Sequence, residues 1–233
     1  MGDHFSAMGL PAGTPEDFAA TMDRAAAEAG DWTRAGRGTR RASWYDPSGA
    51  GLDFMVRRRF GLRREPCVTP QFAGGSAQTV VPTAVVPDPE CTGCDLLHVE
   101  VHQNGEMAYP LLVAAARPHP TAFGEPTTAH LTLVAESVET DPADDPDLPL
   151  ADRAMLPIGQ FTDPPTASVL ATGYVTSAEI RRSRLFDVPF HHITMSGFCG
   201  NFDVVAAFGD LPDGARPGQR LRVEAWVCGR VGG

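Results

Sequence analysis

Hydrophobic and polar positions along the chain recur mostly with a period of two, the spacing of strands half-buried on one face. Thr79–Val86, Leu96–Gln103, Met107–Ala116 and Thr128–Val138 each read as a strand of 8 to 11 residues. Pro87-Asp88-Pro89, Asn104-Gly105 and a Pro/Gly stretch at 118–126 separate them. The Asn-Gly pair predicts a type I′ hairpin, because both residues tolerate a positive φ. Further on, Ser168–Ile180, Phe190–Met195, Phe202–Phe208 and Arg220–Val231 give the same signal. One segment departs from it. Phe18, Met22, Ala25, Ala26 and Ala29 fall at helical spacing. Thr14 stands as N-cap before Pro15 and Asp17, and Gly30 is the stop.

Near the N-terminus, His4–Leu10 reads as a short apolar strand ahead of that helix. Thr39–Tyr45, an Asp46-Pro47-Ser48-Gly49 turn and Leu52–Arg58 follow, with one more strand expected around Trp32. The predicted fold class is α+β and β-rich, in four parts. An N-terminal βαβββ unit covers 1–70, and a middle antiparallel region packed with it covers 71–138. An acidic, Pro-rich linker takes 139–165, with a short helical or 3-10 turn expected near Leu150–Met155. The final part, 166–233, has a long first strand, a three-strand meander and a closing strand. That order resembles a small OB-like β-barrel.

Composition narrows the class of partner. The 233 residues carry a formal net charge of −10, which repels nucleic acid and anionic membranes. The charge is uneven. Residues 34–64 hold nine Arg against Asp46 and Asp53, and residues 136–163 hold eight acids against Arg153. The simplest expectation is that the acidic stretch balances the basic one. All 19 basic side chains are Arg, and with the many Ala, Gly, Pro and Asp this is similar to proteins of high-GC actinobacteria. No apolar run approaches the ~18 residues needed to cross a membrane, and no basic-then-apolar leader is seen, so no membrane partner is expected. Five Cys make an odd count with no disulfide framework, which favours a reducing, cytoplasmic setting.

Three groups of residues could carry chemistry. Cys91 and Cys94 have the two-residue gap that lets two thiolates reach one Zn²⁺, and His98 follows on a strand. His102 shares that face with His98 but lies about 13 Å along the strand, too far to share the ion. Phe190-His191-His192, with Ser196 and Cys199, suggests a base and a nucleophile. Adjacent strand residues point to opposite faces, however, so at most one His could serve a given partner. Arg181, Arg182 and Arg184 beside Phe186 form a candidate binding loop. With Phe190, Phe198, Phe202 and Phe208 they could receive single-stranded nucleic acid. Residues 164–233 hold seven Arg against six acids, without the basic stripe such binders show, so nucleic acid is not the expected partner.

Two resemblances add to this reading. The strand start with His4, the helix after it and "DPSGAGLD" at 46–53 resemble one βαβββ module of the glyoxalase, or vicinal-oxygen-chelate, superfamily. The resemblance implies a divalent metal held by His4 and Asp53, with His98 or Glu136 completing the set. Asp53 stands where the family has a longer Glu. The whole chain resembles an actinobacterial family, and that likeness implies no activity. Without the metal, no cofactor is expected. The reading favoured by the residues is a cytoplasmic, non-catalytic binding or assembly protein. Its partner would be a protein, a small molecule or a second copy of the chain. The glyoxalase-type enzyme and the single-strand binder are the alternatives.

Overall fold

The computed structural model describes residues 4–34, 38–59, 62–63, 67–88, 94–115, 122–143 and 150–232. Helix α1 spans Pro15–Glu28, and the Thr14 hydroxyl accepts from the Asp17 amide at 3.1 Å, as the cap residues predict. Thr21, Met22 and Ala25 form its buried side, while Phe18 is 37% exposed. A small sheet follows, of β1 (Thr33–Arg34), β2 (Thr39–Tyr45), β3 (Ala50–Arg59), β4 (Leu62–Arg63) and β5 (Cys67–Phe72). β3 pairs antiparallel with β2, β4 and β5.

The remaining strands form one nine-stranded mixed sheet. They are β6 (Gln78–Pro87), β7 (Asp95–Gln103), β8 (Glu106–Ala115), β9 (Thr127–Thr140), β10 (Ala154–Leu156), β11 (Ser168–Arg182), β12 (Pro189–Gly197), β13 (Gly200–Ala207) and β14 (Arg220–Val231). Asn104 (φ 55°) and Gly105 (φ 86°) both turn through the left-handed region between β7 and β8, the geometry expected of that pair. β9 and β14 lie at the centre, paired along most of their length. Their ends meet different neighbours: β6 and β13 flank β9, and β8 and β11 flank β14.

Alternation along the central strands sorts two cores. Leu131, Leu133, Val204, Val223 and Val227 point to one face, with Val99 and Leu111. Val134, Val205, Trp226 and Cys228 point to the other, where Met8, Leu10, Met22, Trp44, Leu52, Phe54 and Phe72 cover them. A strand buried on both faces is buried at every residue, which β9 shows over 131–135 and β14 over 225–229. Each fully buried Leu or Phe contributes about 1.5–3 kcal/mol. The second core is therefore what fastens the small sheet and α1 to the large sheet.

Three expectations are corrected. Residues 166–233 do not form an OB-like barrel, because β9 inserts between β13 and β14 and the nine-stranded sheet does not close. The final strand β14 keeps β11 as a neighbour at one end but pairs with β9 along most of its length. The glyoxalase-type module also fails. His4–Leu10 is no strand but a chain bend with a 3-10 turn at Ser6–Met8, ended by Gly9 at φ 69°. A Cβ at Gly9 would lie 2.6 Å from the Val188 carbonyl oxygen, so the turn depends on that glycine. Without a first strand, the N-terminal unit matches the βαβββ order only loosely. Third, the 3-10 turn expected near Leu150–Met155 lies at Ile158–Phe161, after the short strand β10.

Candidate functional site

The Asp46–Gly49 turn does more than reverse the chain. Its first residue is buried, and both carboxylate oxygens are occupied. Oδ1 accepts from the Ser48 amide at 2.8 Å, the ordinary closure of an Asx turn. Oδ2 accepts from the amides of Arg184 and Leu185 at 2.9 and 3.2 Å. The turn between β11 and β12 is thereby docked on the turn between β2 and β3. Arg181 ties the same corner, donating from Nη1 to the Ser48 carbonyl at 2.9 Å with its guanidinium 5.6 Å above the Phe72 ring.

An open groove of about 440 Å³ lies beside this joint. Arg24 and Glu28 of α1, Trp44 and Tyr45 of β2, and Arg184 and Leu185 line it. Arg24 donates to the Leu185 carbonyl at 2.5 Å and lies 4.8 Å over the Phe186 ring. Phe186 meets Trp44 edge-on at 6.1 Å. Arg24, which lines one wall, is thus clamped by its contacts with Leu185 and Phe186. Arg184 is exposed, and its guanidinium has no partner among the described residues. Asp46 also borders the groove, but three amide donors already satisfy its charge.

Behind the joint lies a chain of charges. His192 on β12 stands between two carboxylates, with Nε2 2.7 Å from Asp203 Oδ1 and Nδ1 3.0 Å from Glu179 Oε1. Glu179 also accepts from Arg181 at 2.7 Å. The other oxygen of Asp203 accepts from the Ser76 amide at 2.7 Å. That approach needs a bare backbone, since a Cβ on Gly74 would sit 2.3 Å from Asp203 Oδ2. Burial pushes the Asp203 carboxyl up, but the bonds from His192 and Ser76 outweigh it and hold the group below the usual range. Hydrogen bonds from His192 and then Arg181 hold Glu179 low as well. Both imidazole nitrogens are spoken for, so His192 is not placed to take a proton from a bound molecule. The carboxylates sit on opposite sides of the ring and cannot converge on one ion.

His191, on the opposite face as expected, stacks on Phe208 at 5.4 Å. The sequence reading missed the Glu179–His192–Asp203 chain. Counting outward from the 183–188 turn would have found half of it, since Arg182 pairs with Pro189 and Glu179 then faces His192.

The other sequence candidates are spread over the molecule. His4 Nε2 meets Glu136 Oε1 at 2.8 Å and stacks on Trp226 at 4.8 Å, and that bond holds the Glu136 carboxyl below its usual range. Asp53 Oδ1 accepts from the Ser43 hydroxyl at 2.5 Å, while Oδ2 is buried without a partner. Burial pushes the Asp53 carboxyl up, against the pull of Ser43, Arg41 and Arg230. His98 Nδ1 is 2.6 Å from the Thr83 hydroxyl. Cys94 is joined to Cys67 as a disulfide with Cα atoms 6.5 Å apart, and Cys91 lies outside the described residues. Among the described residues, no three His, Cys, Asp or Glu side chains gather as a metal set. Of the loop candidates, Arg184 lines the groove, Phe186 packs under Arg24 and against Trp44, Arg181 belongs to the charge chain, and Arg182 bonds Asp187 beside it.

The acidic stretch finds partners on β14, where Arg222 pairs with Glu139 and Arg220 with Asp152. The side chains of Arg57, Arg58 and Arg59 lie outside the described set. No helix among the described residues is long and apolar enough to cross a membrane.

Fold and site together define a β-rich α+β protein with an arginine-flanked groove at the joint of its two sheets. Comparison with known proteins gives no match to a family model, a curated protein or a solved structure.

Proposed function

We propose that this chain is a non-catalytic binding protein, and that its groove takes a small ligand with a negatively charged head. One observation carries the reading: the Arg184 guanidinium stands unpartnered at the mouth of a 440 Å³ groove with an aromatic and cationic wall. That volume lies within the ~300–1,000 Å³ of small-molecule sites. A guanidinium offers a planar fork that fits a carboxylate or a phosphate. Tyr45, 37% exposed and part of the groove's lining, supplies aromatic surface for the rest of the ligand. The occupied ring nitrogens of His192 favour binding over catalysis, because that imidazole is committed to the protein's own carboxylates.

Titration calorimetry at low salt with pyrophosphate, citrate, benzoate and phenyl phosphate tests the reading. Saturable binding of at least one probe is expected, with a raised melting temperature, since a ligand at 100 times its Kd adds about 2.7 kcal/mol. Arg184→Ala should abolish that binding and leave unliganded stability within about 0.5 kcal/mol, the ordinary range for a surface change. No heat with any of the four probes, or unchanged affinity in Arg184→Ala, overturns it.

A further inference from the structure

The Cys67–Cys94 bond joins β5 of the small sheet to the start of β7 in the large one. It does so at the looser end of β5. Cys67, Val68 and Thr69 are half-buried, whereas Pro70, Gln71 and Phe72 are buried. The buried end has its own fastenings: Gln71 Nε2 donates to the Ala114 carbonyl at 3.0 Å, and Phe72 packs edge-on against Phe190. The disulfide end has a cavity instead. Its volume is about 40 Å³, and both cysteines line it with Ser43, Asp53 and Thr69. Room on that scale admits about one water. The lining is polar: Asp53 Oδ2 is buried there without a partner, and the Thr69 hydroxyl is 3.6 Å from Cys94 Sγ.

We propose that Cys67–Cys94 is an exchangeable redox staple, opened by a dithiol reductant, which controls whether the Cys67 end of β5 is fixed to the large sheet. Cys67 is the more exposed partner and Cys94 is 7% exposed, so attack falls on Cys67. A thiolate of the reductant bonds to Cys67 Sγ as the S–S bond breaks. The electron pair leaves on Cys94 Sγ, which takes a proton from solvent. The second thiol of the reductant, having lost its proton to solvent, then attacks its partner sulfur in the mixed disulfide. Cys67 leaves and is protonated in turn. The reductant ends as a disulfide, and the protein ends with two thiols.

An external reductant is required because ending with two thiols takes two electrons, whereas attack by an internal thiol would only move the disulfide, and the free thiols described are poor nucleophiles. Cys228 is fully buried with its thiol pushed up to about 12, and burial also raises Cys199. Opening would be felt at the groove, since Ser43 borders both spaces and its hydroxyl holds Asp53. The staple itself stands whatever the groove binds.

Thiol counting and native-state hydrogen exchange test it on the full chain, purified in air without reductant. Denatured protein should show three titratable thiols, rising to five after dithiothreitol. Peptide mapping should find Cys67 linked to Cys94. Dithiothreitol in native buffer should open the bond without global unfolding. Exchange at residues 53–55 and 67–69 should then accelerate tenfold or more, with residues 70–72 and 190–205 unchanged. Five thiols at the outset, a Cys91–Cys94 link, reduction that needs denaturant, or unaltered exchange at 67–69 each overturns the proposal. A Cys67→Ser, Cys94→Ser chain should reproduce the open exchange pattern. If that chain fails to fold, the reduced wild-type protein supplies the same measurement.

Discussion

Two carboxylates near the joint of the small and large sheets have met burial in opposite ways. Asp203 is 2% exposed, and both its oxygens are served, one by His192 and the other by the Ser76 amide. Asp53 is half-buried, with one oxygen served by Ser43 and the other unpartnered. Desolvation pushes both groups up, but it prevails only at Asp53. Burial alone does not decide the charge state of a carboxyl; the count of donors aimed at it does. Asp203 is built to remain charged and to hold strands in register. Asp53 is held in an environment that penalises its charge.

Removing the well-served carboxylate should do the most damage. Asp203→Ala strips the partner from His192 Nε2 and from the Ser76 amide, and it opens a void beside Gly74. Breaking a buried pair from one side costs about 3–5 kcal/mol, because the other member is left uncompensated. Urea unfolding should show a loss of that size. A loss below about 1 kcal/mol would mean that the network contributes little to the fold.

Acid should reproduce part of that loss without a mutation. The folded pKa of Asp203 lies below its unfolded value, as does that of Glu179. The stability these groups supply is therefore present above the unfolded pKa, about 4 for such carboxyls, and is lost as pH falls through the folded values. Urea midpoints should decline steeply below about pH 4 in the wild type. Asp203→Asn should weaken the decline. Parallel curves would show that other carboxyls carry the acid transition.

How much of this was legible depended on whether a feature is local. The Thr14 cap, the Asn104-Gly105 turn and the bounds of Arg220–Val231 were all readable, because each is set by residues adjacent in the chain. The pairing of β13 with β9 was not. It is parallel, so no tight turn announces it, and the partners lie 71 positions apart. Asp46 shows both sides of this limit in one side chain. Its bond to Ser48 is a turn signature, whereas its bonds to Arg184 and Leu185 reach across 138 and 139 positions. The groove inherits that limit, since α1, β2 and the 183–187 turn form it only after the two turns dock. Arg181, Arg182 and Arg184 beside Phe186 are legible as a cationic and aromatic loop, but the guanidinium that lies over Phe186 is that of Arg24, from a distant helix.

The mildest change should be at Asp53. Its folded pKa is raised, so the linkage runs opposite to that of Asp203. Stability is full below the unfolded pKa and falls as pH rises through the folded value. Several groups bear on it. Ser43, Arg41 and Arg230 favour the charged form, while Tyr45 and Cys228 interact with it unfavourably. Asp53→Asn keeps an oxygen to accept from Ser43 and removes the charge that burial penalises. The variant should gain about 1 kcal/mol at pH 8, a modest effect for one substitution, and show no gain at pH 3. Urea midpoints across that range measure the difference directly. An equal gain at both pH values would assign the effect to packing. A loss at pH 8 would show that Arg41 and Arg230 stabilise the carboxylate enough to offset its burial, which would place Asp53 with Asp203 as a second anchored charge.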